Sequence, residues 1–439
     1  MVAAGPFAPG HLGELTQLVP FEMVDEVLAE SGRTQQRIRN LPSRVVVYLL
    51  LAGSLFPGIG WKQVWQRLTA GLEGPATATP TAGAPAQARR RVGIRPLRDL
   101  FDLLRGPAAG IGTGGTRWRG LLVCAIDGTL MAVPDSPANQ AEFIKHRGNN
   151  GGAGYPSLRL PALVSCGTRT VLDAVFGPTT NGETSYAPRL VRSVREGMIV
   201  LLDRNFAVQA LAEAITRTGA HVLVRVKENR RLPVLERFPD GSCLSRTGAV
   251  AVRVIDCEIT VSTSQGRRTG AYRLVTTLTD PRTHPAAELI RLYHERWEVE
   301  TSYLEIKSTI LGGRVLRSRT PAGVAQEVFA LLVTYQLLRL AMADATAAHP
   351  GADPDRAGFS IALNTARDML IQAADVINTA VDLVGTIGRR VLAGLMPERR
   401  IRTRPRIVKR AISRYNAKGI VDRTSYKATI SIDILTGTA

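Results

Sequence analysis

The chain is poor in cysteine, lysine and aromatic residues. Its 439 residues include four cysteines, at positions 124, 166, 243 and 257, with no C-x-x-C pair and no histidine at metal-ligand spacing. This scatter argues against a disulfide framework and against a zinc site. It is typical of a protein in a reducing cytosol.

A targeting segment and long hydrophobic runs are also missing. The first ten residues lack the basic and apolar regions of a signal peptide. The longest apolar run, residues 45–56, contains Gly and Ser and is followed by Pro57. It is too short to span a bilayer and predicts a buried helix. We therefore expect a soluble, cytoplasmic protein that has no membrane partner.

Acidic residues are few in comparison with basic ones. Lys and Arg together number 56 against 37 Asp and Glu, which gives a formal net charge of +19. Such an excess indicates a polyanionic partner, and nucleic acid is the first candidate. Only seven of the basic residues are lysine, which fits either bidentate phosphate contacts or a coding bias. Hydrophobic residues make up 45% and charged residues 21%, which excludes a mainly disordered or fibrous chain.

Residues 1–116 predict a helical N-terminal DNA-binding domain. Apolar residues recur at helical spacing over 13–72, an Ala/Pro/Thr-rich loop follows at 73–88, and a Gly-rich stretch closes the region at 106–116. After the loop a basic cluster leads into an amphipathic helix, which predicts a helix-turn-helix-like DNA contact or a solvated basic face. The cluster consists of Arg89, Arg90 and Arg91.

Residues 117–345 alternate apolar runs with helical patterns, as an α/β domain with a mixed sheet does. Asp127 interrupts the first apolar run and Asp203 ends a later one. A carboxylate at such a position is costly to bury unless it is paired or holds a metal. Within this domain, residues 229–280 predict a β-rich insertion. Residues 346–439 predict a helical C-terminal region with a basic tail.

A polar stripe marks the helix predicted over residues 285–311. At about 100° per residue, four side chains fall within about 60° of one another, beside an apolar stripe that includes Tyr303. They are Tyr293, Arg296, Glu300 and Lys307. On an arbitrary helix, Arg296 and Glu300 would be an ion pair that contributes about 0.3 kcal/mol. The two isolated strand aspartates upstream favour a shared site instead.

These four residues form the pattern Y-x2-R-x3-E-x6-K, and the chain resembles the DDE transposases of the bacterial insertion sequence 4 type, which carry this signature. The Asp-Gly-Thr at 127–129 resembles the first acidic motif of that family, and the Asp-Arg-Asn-Phe at 203–206 resembles the second. The resemblance covers residues 10–420. It implies a ribonuclease-H-like catalytic domain between the helical N-terminal domain and the C-terminal region.

The resemblance also implies that Asp127, Asp203 and Glu300 are catalytic and hold Mg²⁺, for which Mn²⁺ would substitute. Two divalent ions activate a water and neutralise charge at phosphorus, and such hard cations prefer oxygen ligands. Arg296 and Lys307 would bind phosphates. The implied activity is cleavage of double-stranded DNA at transposon ends and strand transfer into target DNA. A homodimer would act in the DNA complex, on the nucleoid.

Several roles stay open at this level. Tyr293 would donate to a phosphate or stack, and Trp297 would stack on a displaced base or pack beneath a loop. Relatives that form a hairpin intermediate use a Trp from the insertion, but residues 229–280 contain none, so Phe238 or Tyr272 would have to substitute. The alternatives to an active transposase are an inactive DNA-binding relic or regulator on the same fold, and a structure-selective nuclease. Retention of all three carboxylates favours the active enzyme.

Overall fold

The computed structural model describes residues 10–37, 39–71, 80–81, 83–108, 113–145, 154–263, 266–349, 351–372, 384–396 and 428–435. The basic tail predicted at 399–418 lies outside these ranges. Within them the α-helices lie mainly before and after a single large sheet. The helices are α1 Phe21–Glu30, α2 Ser43–Leu55, α3 Trp61–Thr69, α4 Ala84–Val92, α5 Arg95–Leu104, α6 Pro137–Glu142, α7 Glu183–Tyr186, α8 Gln209–Thr216, α9 Ala286–Tyr293, α10 Trp297–Leu304, α11 Pro321–Ala347, α12 Phe359–Ile371 and α13 Gly385–Ala393.

The centre of the sheet has the strand order β4-β3-β2-β6-β7. Its first three strands are antiparallel neighbours, whereas β6 runs parallel to β2, and β7 runs parallel to β6. This mixed arrangement fits a ribonuclease-H-like fold. The strands of the whole sheet are β1 Arg117–Trp118, β2 Leu121–Ala132, β3 Ser157–Ser165, β4 Val171–Ala174, β5 Gly177–Pro178, β6 Met198–Leu202, β7 His221–Val226, β8 Glu236–Arg237, β9 Cys243–Thr247, β10 Val250–Thr263, β11 Gly266–Thr276 and β12 Ala428–Ile434.

Strand β2 separates two apolar cores. Val123 and Ala125 belong to the larger core, which is shared with the helices, whereas Cys124 and Ile126 belong to the core beneath α8. Because successive strand residues point to opposite faces, a strand that is buried on both faces reads as a continuous apolar run. The one carboxylate in this run, Asp127, therefore needs a specific environment.

The predicted β-rich insertion extends the same sheet. β11 pairs with β7, and β10 pairs with β11, in both cases antiparallel. On its other side β10 pairs with β9 along its first half and with β12 along its second half. β12 comes from the C-terminal region, which the sequence predicts as helical. That region is therefore not wholly helical, because its last described segment completes the edge of the insertion.

The helix predicted over residues 285–311 changes its winding along its length. It begins as α9, tightens into a 3-10 turn at His294–Arg296, continues as α10 and widens into a π turn at Glu305–Ile310. A uniform rotation per residue therefore applies within α9 and within α10, but not across the whole segment. Single π turns are often found at functional sites.

Helix α11 is the central helix of the helical layer. The hydroxyl of Thr320 accepts a hydrogen bond from the Gly323 amide at 3.2 Å, and Pro321 occupies the first position, so both start signals are present. The helix packs against α2, α5, α12 and α13. Among the described residues it is the one helix that is long and apolar enough to cross a membrane, and 78% of that stretch is buried inside the fold. Burial among helices explains its apolar surface.

A buried ionic cluster joins the sheet to the helices. Arg169 lies in the turn between β3 and β4, with a φ of 57° and 4% exposure. Its guanidinium contacts the carboxylates of Glu298, Glu305 and Asp355. Arg339 of α11 contacts Glu305 from the other side. Because Glu298 lies in the first turn of α10 and Glu305 directly follows its last residue, the cluster fixes the back of that helix.

We expect Arg169→Met to destabilise the fold strongly, because it removes the cation that faces three buried carboxylates. Breaking a buried ion pair by deleting one partner costs about 3–5 kcal/mol, and urea denaturation would show a loss of that size in the free energy of unfolding. Arg44→Met is the control, since Arg44 pairs with Asp25 on the surface, where the side chains are 43% and 46% exposed. That variant should lose less than about 1 kcal/mol. Equal small losses would contradict a structural role for the cluster.

Candidate active site

The two predicted aspartates lie side by side where the parallel pairing of β2 with β6 ends. In the register of β2 and β6, Ile126 pairs with Leu202. Asp127 and Asp203 are the next residues on strands that are about 4.8 Å apart. Asp203 also begins the 3-10 turn that follows β6, because its Oδ1 accepts a hydrogen bond from the Asn205 amide at 2.7 Å.

Arg296 links the third predicted acid to the first. Its Nη1 donates to Oδ2 of Asp127 at 3.2 Å, and its Nη2 donates to Oε1 of Glu300 at 3.0 Å. The Arg296 side chain is 12% exposed, and that of Glu300 is 40% exposed. The arginine and Glu300 do form the local pair expected of any helix. The contact with Asp127, which is 169 residues away in the sequence, makes it part of a tertiary site.

The charges of this site oppose one another. Burial raises the pKa of Asp127 to about 7; Arg296 lowers it, and the nearby carboxylates of Asp203 and Glu300 raise it further. Burial by itself would lower the pKa of Arg296, but the surrounding acidic groups hold that pKa above its ordinary value. Three carboxylates and one guanidinium leave an excess of negative charge on hard oxygen ligands. This donor set fits a divalent ion such as Mg²⁺.

The other two signature residues contact the same two strands. The hydroxyl of Tyr293 donates to the Leu202 carbonyl at 3.1 Å, and burial raises the pKa of Tyr293 to about 12. The ammonium of Lys307 donates to the hydroxyl of Thr129 at 3.0 Å. The structure thus brings together all four residues of the spaced motif and both aspartates.

Sequence reasoning missed the role of Tyr303, which the periodicity places in the apolar stripe. Its hydroxyl donates to the main-chain oxygen of Asp127 at 2.7 Å. Burial raises its pKa well above the ordinary value, so that it remains a donor. The signal that could have found it is its spacing of three residues from Glu300, which places both on one face of α10.

The aromatic residues considered for stacking occupy different places. Trp297 is half-buried, and the guanidinium of Arg296 lies 5.6 Å from its ring centroid. The guanidinium of Arg225 lies 4.0 Å from the ring centroid of Tyr272. Arg225 is the residue after Val224, which pairs with Leu202 across β7 and β6. Tyr272 therefore lies two strands away from β6, the strand that Asp203 follows.

Phe238 lies in a different environment, at the edge of the insertion. Its ring is 5.9 Å from the guanidinium of Arg253, which is fully buried and paired with Asp240. That arginine also donates to the carbonyl of His284 at 2.6 Å. Of the two possible substitutes for the missing insertion Trp, Tyr272 is thus the better placed.

The three arginines of the N-terminal cluster have different surroundings. Arg89 stacks on Trp61 at 4.4 Å and donates to Ser318 Oγ at 2.7 Å, and burial lowers its pKa to about 10. Arg91 donates to the main-chain oxygen of Leu41 at 3.2 Å. Arg90 is exposed. Within the folded chain, Arg89 therefore holds α4 against the segment before α11, whereas Arg90 faces solvent.

A second acidic group lies behind α10. Glu295, Glu298 and Asp355 have ligand oxygens within 4.8 Å of one another. Arg169 contacts two of them, Glu298 and Asp355. A buried cation thus already balances this group, and none of its members is a predicted metal ligand.

Comparison with known proteins adds the family. Residues 9–102 match the family described as insertion element 4 transposase N-terminal, and residues 118–337 match the transposase DDE domain. The Escherichia coli K12 transposase InsG for insertion sequence element IS4 is 29% identical over 406 residues, which are 88% of this chain and 90% of that protein. The InsZ protein of the same strain is 27% identical over 223 residues, which are 49% of this chain and 72% of that protein.

Among solved structures, the cryo-EM structure of the piggyBac transposase synaptic complex with hairpin DNA has a TM-score of 0.46 and 11% identity to this chain. The match covers 88% of this chain and 84% of that one.

A mixed sheet with two acidic residues where the parallel pairing of its central strands ends, together with a match to the DDE domain, defines a transposase. The chain belongs to the DDE transposases of the insertion sequence 4 type. Members of this family bind DNA, and they cleave and join it with the help of divalent metal ions.

The raised pKa of Asp127 predicts a pH dependence of stability in the metal-free chain. Its folded-state pKa of about 7 lies above the ordinary value of 3.8. Stability is therefore greatest below the lower value and is lost as the pH rises through the higher one. In EDTA, Asp127→Asn should remove this loss and gain stability over the wild type between about pH 4 and pH 8, as thermal unfolding would show. Asp256→Asn, at an ion pair in the insertion, is the control. If the thermal stability of the wild type and of both variants changes with pH in the same way, the raised pKa of Asp127 is contradicted.

Proposed function

We propose that the chain is an active cut-and-paste transposase that binds the ends of an insertion sequence, cleaves the DNA there and joins it to target DNA. The observation that supports this activity is the convergence of the three acids: Asp203 lies beside Asp127, and Arg296 joins Asp127 to Glu300. A DNA-binding relic or regulator on the same fold would not need three acids at one strand edge. The convergence therefore favours the enzyme.

Asp127, Asp203 and Glu300 would hold Mg²⁺, and Mn²⁺ would substitute, since both ions take oxygen ligands. When bound, such ions activate water and stabilise the charge that develops at phosphorus. The residues of the chain do the rest. Arg296 balances Asp127 and Glu300 before DNA arrives, and together with Lys307 it would bind the phosphates beside the scissile bond. Tyr293, whose hydroxyl is bound to the Leu202 carbonyl, holds the helix in place.

The remaining parts of the chain would hold DNA. We assign end recognition to residues 1–116, with the exposed Arg90 as a contact, and catalysis to residues 117–345. Residues 346–439 would add a basic tail to this surface. Two copies, one for each transposon end, would act together in the DNA complex, and the net charge of +19 fits a protein that works on the nucleoid in the cytoplasm.

Removal of any one acid should abolish cleavage and leave DNA binding intact. We expect Asp127→Asn, Asp203→Asn and Glu300→Gln each to lower the Mg²⁺-dependent nicking of end DNA by more than about 100-fold. Even the loss of a residue that only orients a metal ligand costs about 10–100-fold. The assay uses labelled DNA that carries the repeats flanking the coding region. The matched control is Glu288→Gln, which should cut normally. Glu288 lies on α9 and forms a surface ion pair with Arg119.

Two results would count against this assignment. Nicking near the wild-type rate by one acid variant removes that residue from the site. End binding without any nicking by the wild type, in Mg²⁺ or Mn²⁺, would instead support the regulator.

Substitutions of Lys307 and Arg296 should differ in their effects on DNA binding and cleavage. Lys307→Ala should weaken binding to DNA of any sequence and lower the slope of log affinity against log salt by about one, because one phosphate contact is lost. Arg296→Ala should damage cleavage more, since it also contacts Asp127 and Glu300. Fluorescence anisotropy at several salt concentrations measures the slope. The control is Lys145→Ala, at a surface ion pair with Asp135. If Lys307→Ala shows the same affinity and the same salt slope as this control, Lys307 does not contact a phosphate.

A further inference from the structure

Tyr303 is a buried tyrosine whose hydroxyl lies beside the strand residue Asp127. The residue is 6% exposed. Its hydroxyl lies 2.7 Å from the main-chain oxygen of Asp127 and 3.2 Å from that of Leu160 on the neighbouring strand β3. The hydroxyl is thus bound to the backbone of the very residue whose side chain is the first of the three acids.

Tyr303 and Glu300 share a face of α10, because they are three residues apart. The side chain of Arg296 connects Glu300 to the carboxylate of Asp127. The hydroxyl of Tyr303 connects the same helix to the backbone of Asp127. Helix and strand are therefore joined at two points, one on the side chain and one on the main chain of Asp127.

A second hydroxyl acts in the same way one strand further along. Tyr293 donates to the carbonyl of Leu202, the residue before Asp203. A 3-10 turn and a π turn flank α10, and both differ from α-helical winding. The helical hydrogen bonds of α10 therefore do not by themselves set the height of Glu300 above the sheet. Contacts with the sheet, together with the Arg169 cluster behind the helix, set it.

We propose that Tyr303 is a positioning residue of the transposase reaction. Its hydroxyl fixes α10 on β2 and so holds Glu300 and Asp127, which would bind the divalent metal, in position relative to each other. This inference rests on the proposed function. Tyr303 is buried and its hydroxyl faces main-chain oxygens of Asp127 and Leu160, so its effect passes through the placement of Glu300 and Asp127. The loss of a residue that orients a metal ligand costs about 10–100-fold in metal affinity or activity.

The chain offers a matched control for the loss of one buried hydroxyl. Tyr48 on α2 is fully buried, and its hydroxyl donates to the main-chain oxygen of Val19 at 2.7 Å. Tyr48→Phe and Tyr303→Phe each remove one hydrogen bond of the same kind and keep the aromatic ring. Their effects on thermal stability should be similar. Only Tyr303→Phe should affect the metal site.

The test is the affinity of the full-length chain for Mn²⁺, measured from free Mn²⁺ by electron paramagnetic resonance, together with single-turnover nicking of end DNA. Circular dichroism first establishes the folded fraction of each variant, which separates a folding defect from a binding defect. Tyr303→Phe should weaken Mn²⁺ binding by about 10-fold. It should slow nicking at low Mn²⁺, recover most of the rate at saturating Mn²⁺, and bind end DNA like the wild type. Tyr48→Phe should match the wild type in all three measurements.

Equal Mn²⁺ affinity and equal nicking for the two phenylalanine variants would overturn the positioning role and leave Tyr303 as a packing residue. A defect of Tyr303→Phe that saturating Mn²⁺ does not reduce would also overturn it. A wild-type chain that neither binds Mn²⁺ nor cuts DNA is a different result, since the proposed function itself would then fail.

Discussion

The parallel pairing of β2 with β6 is the constraint on which the site depends. It places Ile126 opposite Leu202. Asp127 and Asp203, the residues that follow them, therefore lie side by side. A slip of one residue would turn the side chains of a strand to the other face. Such a slip is prevented because alternate residues of β2 fill two separate apolar cores. The geometry of the acids thus follows from the hydrophobic packing of the strand residues that precede them.

Two arginines then fix α10 from opposite sides. Arg169 is buried among carboxylates behind the helix, and Arg296 lies at its catalytic edge between Asp127 and Glu300. The first is enclosed by protein and joins four segments of the chain. The second is partly exposed, and its acidic partners are those that fit a divalent ion. The same ion-pair chemistry therefore supports the fold in one place and, in our proposal, the reaction in the other.

Much of the central sheet could be predicted, because its strands are continuous apolar runs with clear ends. The strand β12 could not, since its pairing with β10 joins residues far apart in the sequence. The winding of the segment from Tyr293 to Lys307 also escaped prediction, because a 3-10 turn and a π turn depend on what the helix packs against. The basic cluster at Arg89 shows the same limit: charge is visible in the sequence, but the stacking of Arg89 on Trp61 is not.

The sequence by itself determined the family signature and the two isolated strand aspartates, because both are local patterns of residue type and spacing. It also determined the basic character that fits a DNA-binding protein. Tertiary structure alone decided that Arg296 reaches Asp127 as well as Glu300, and that the hydroxyls of Tyr293 and Tyr303 bind the strands that carry the aspartates. The physical reason is that such contacts join segments more than 90 residues apart. Their distances are set by the packing of α10 on the sheet, which no local pattern encodes.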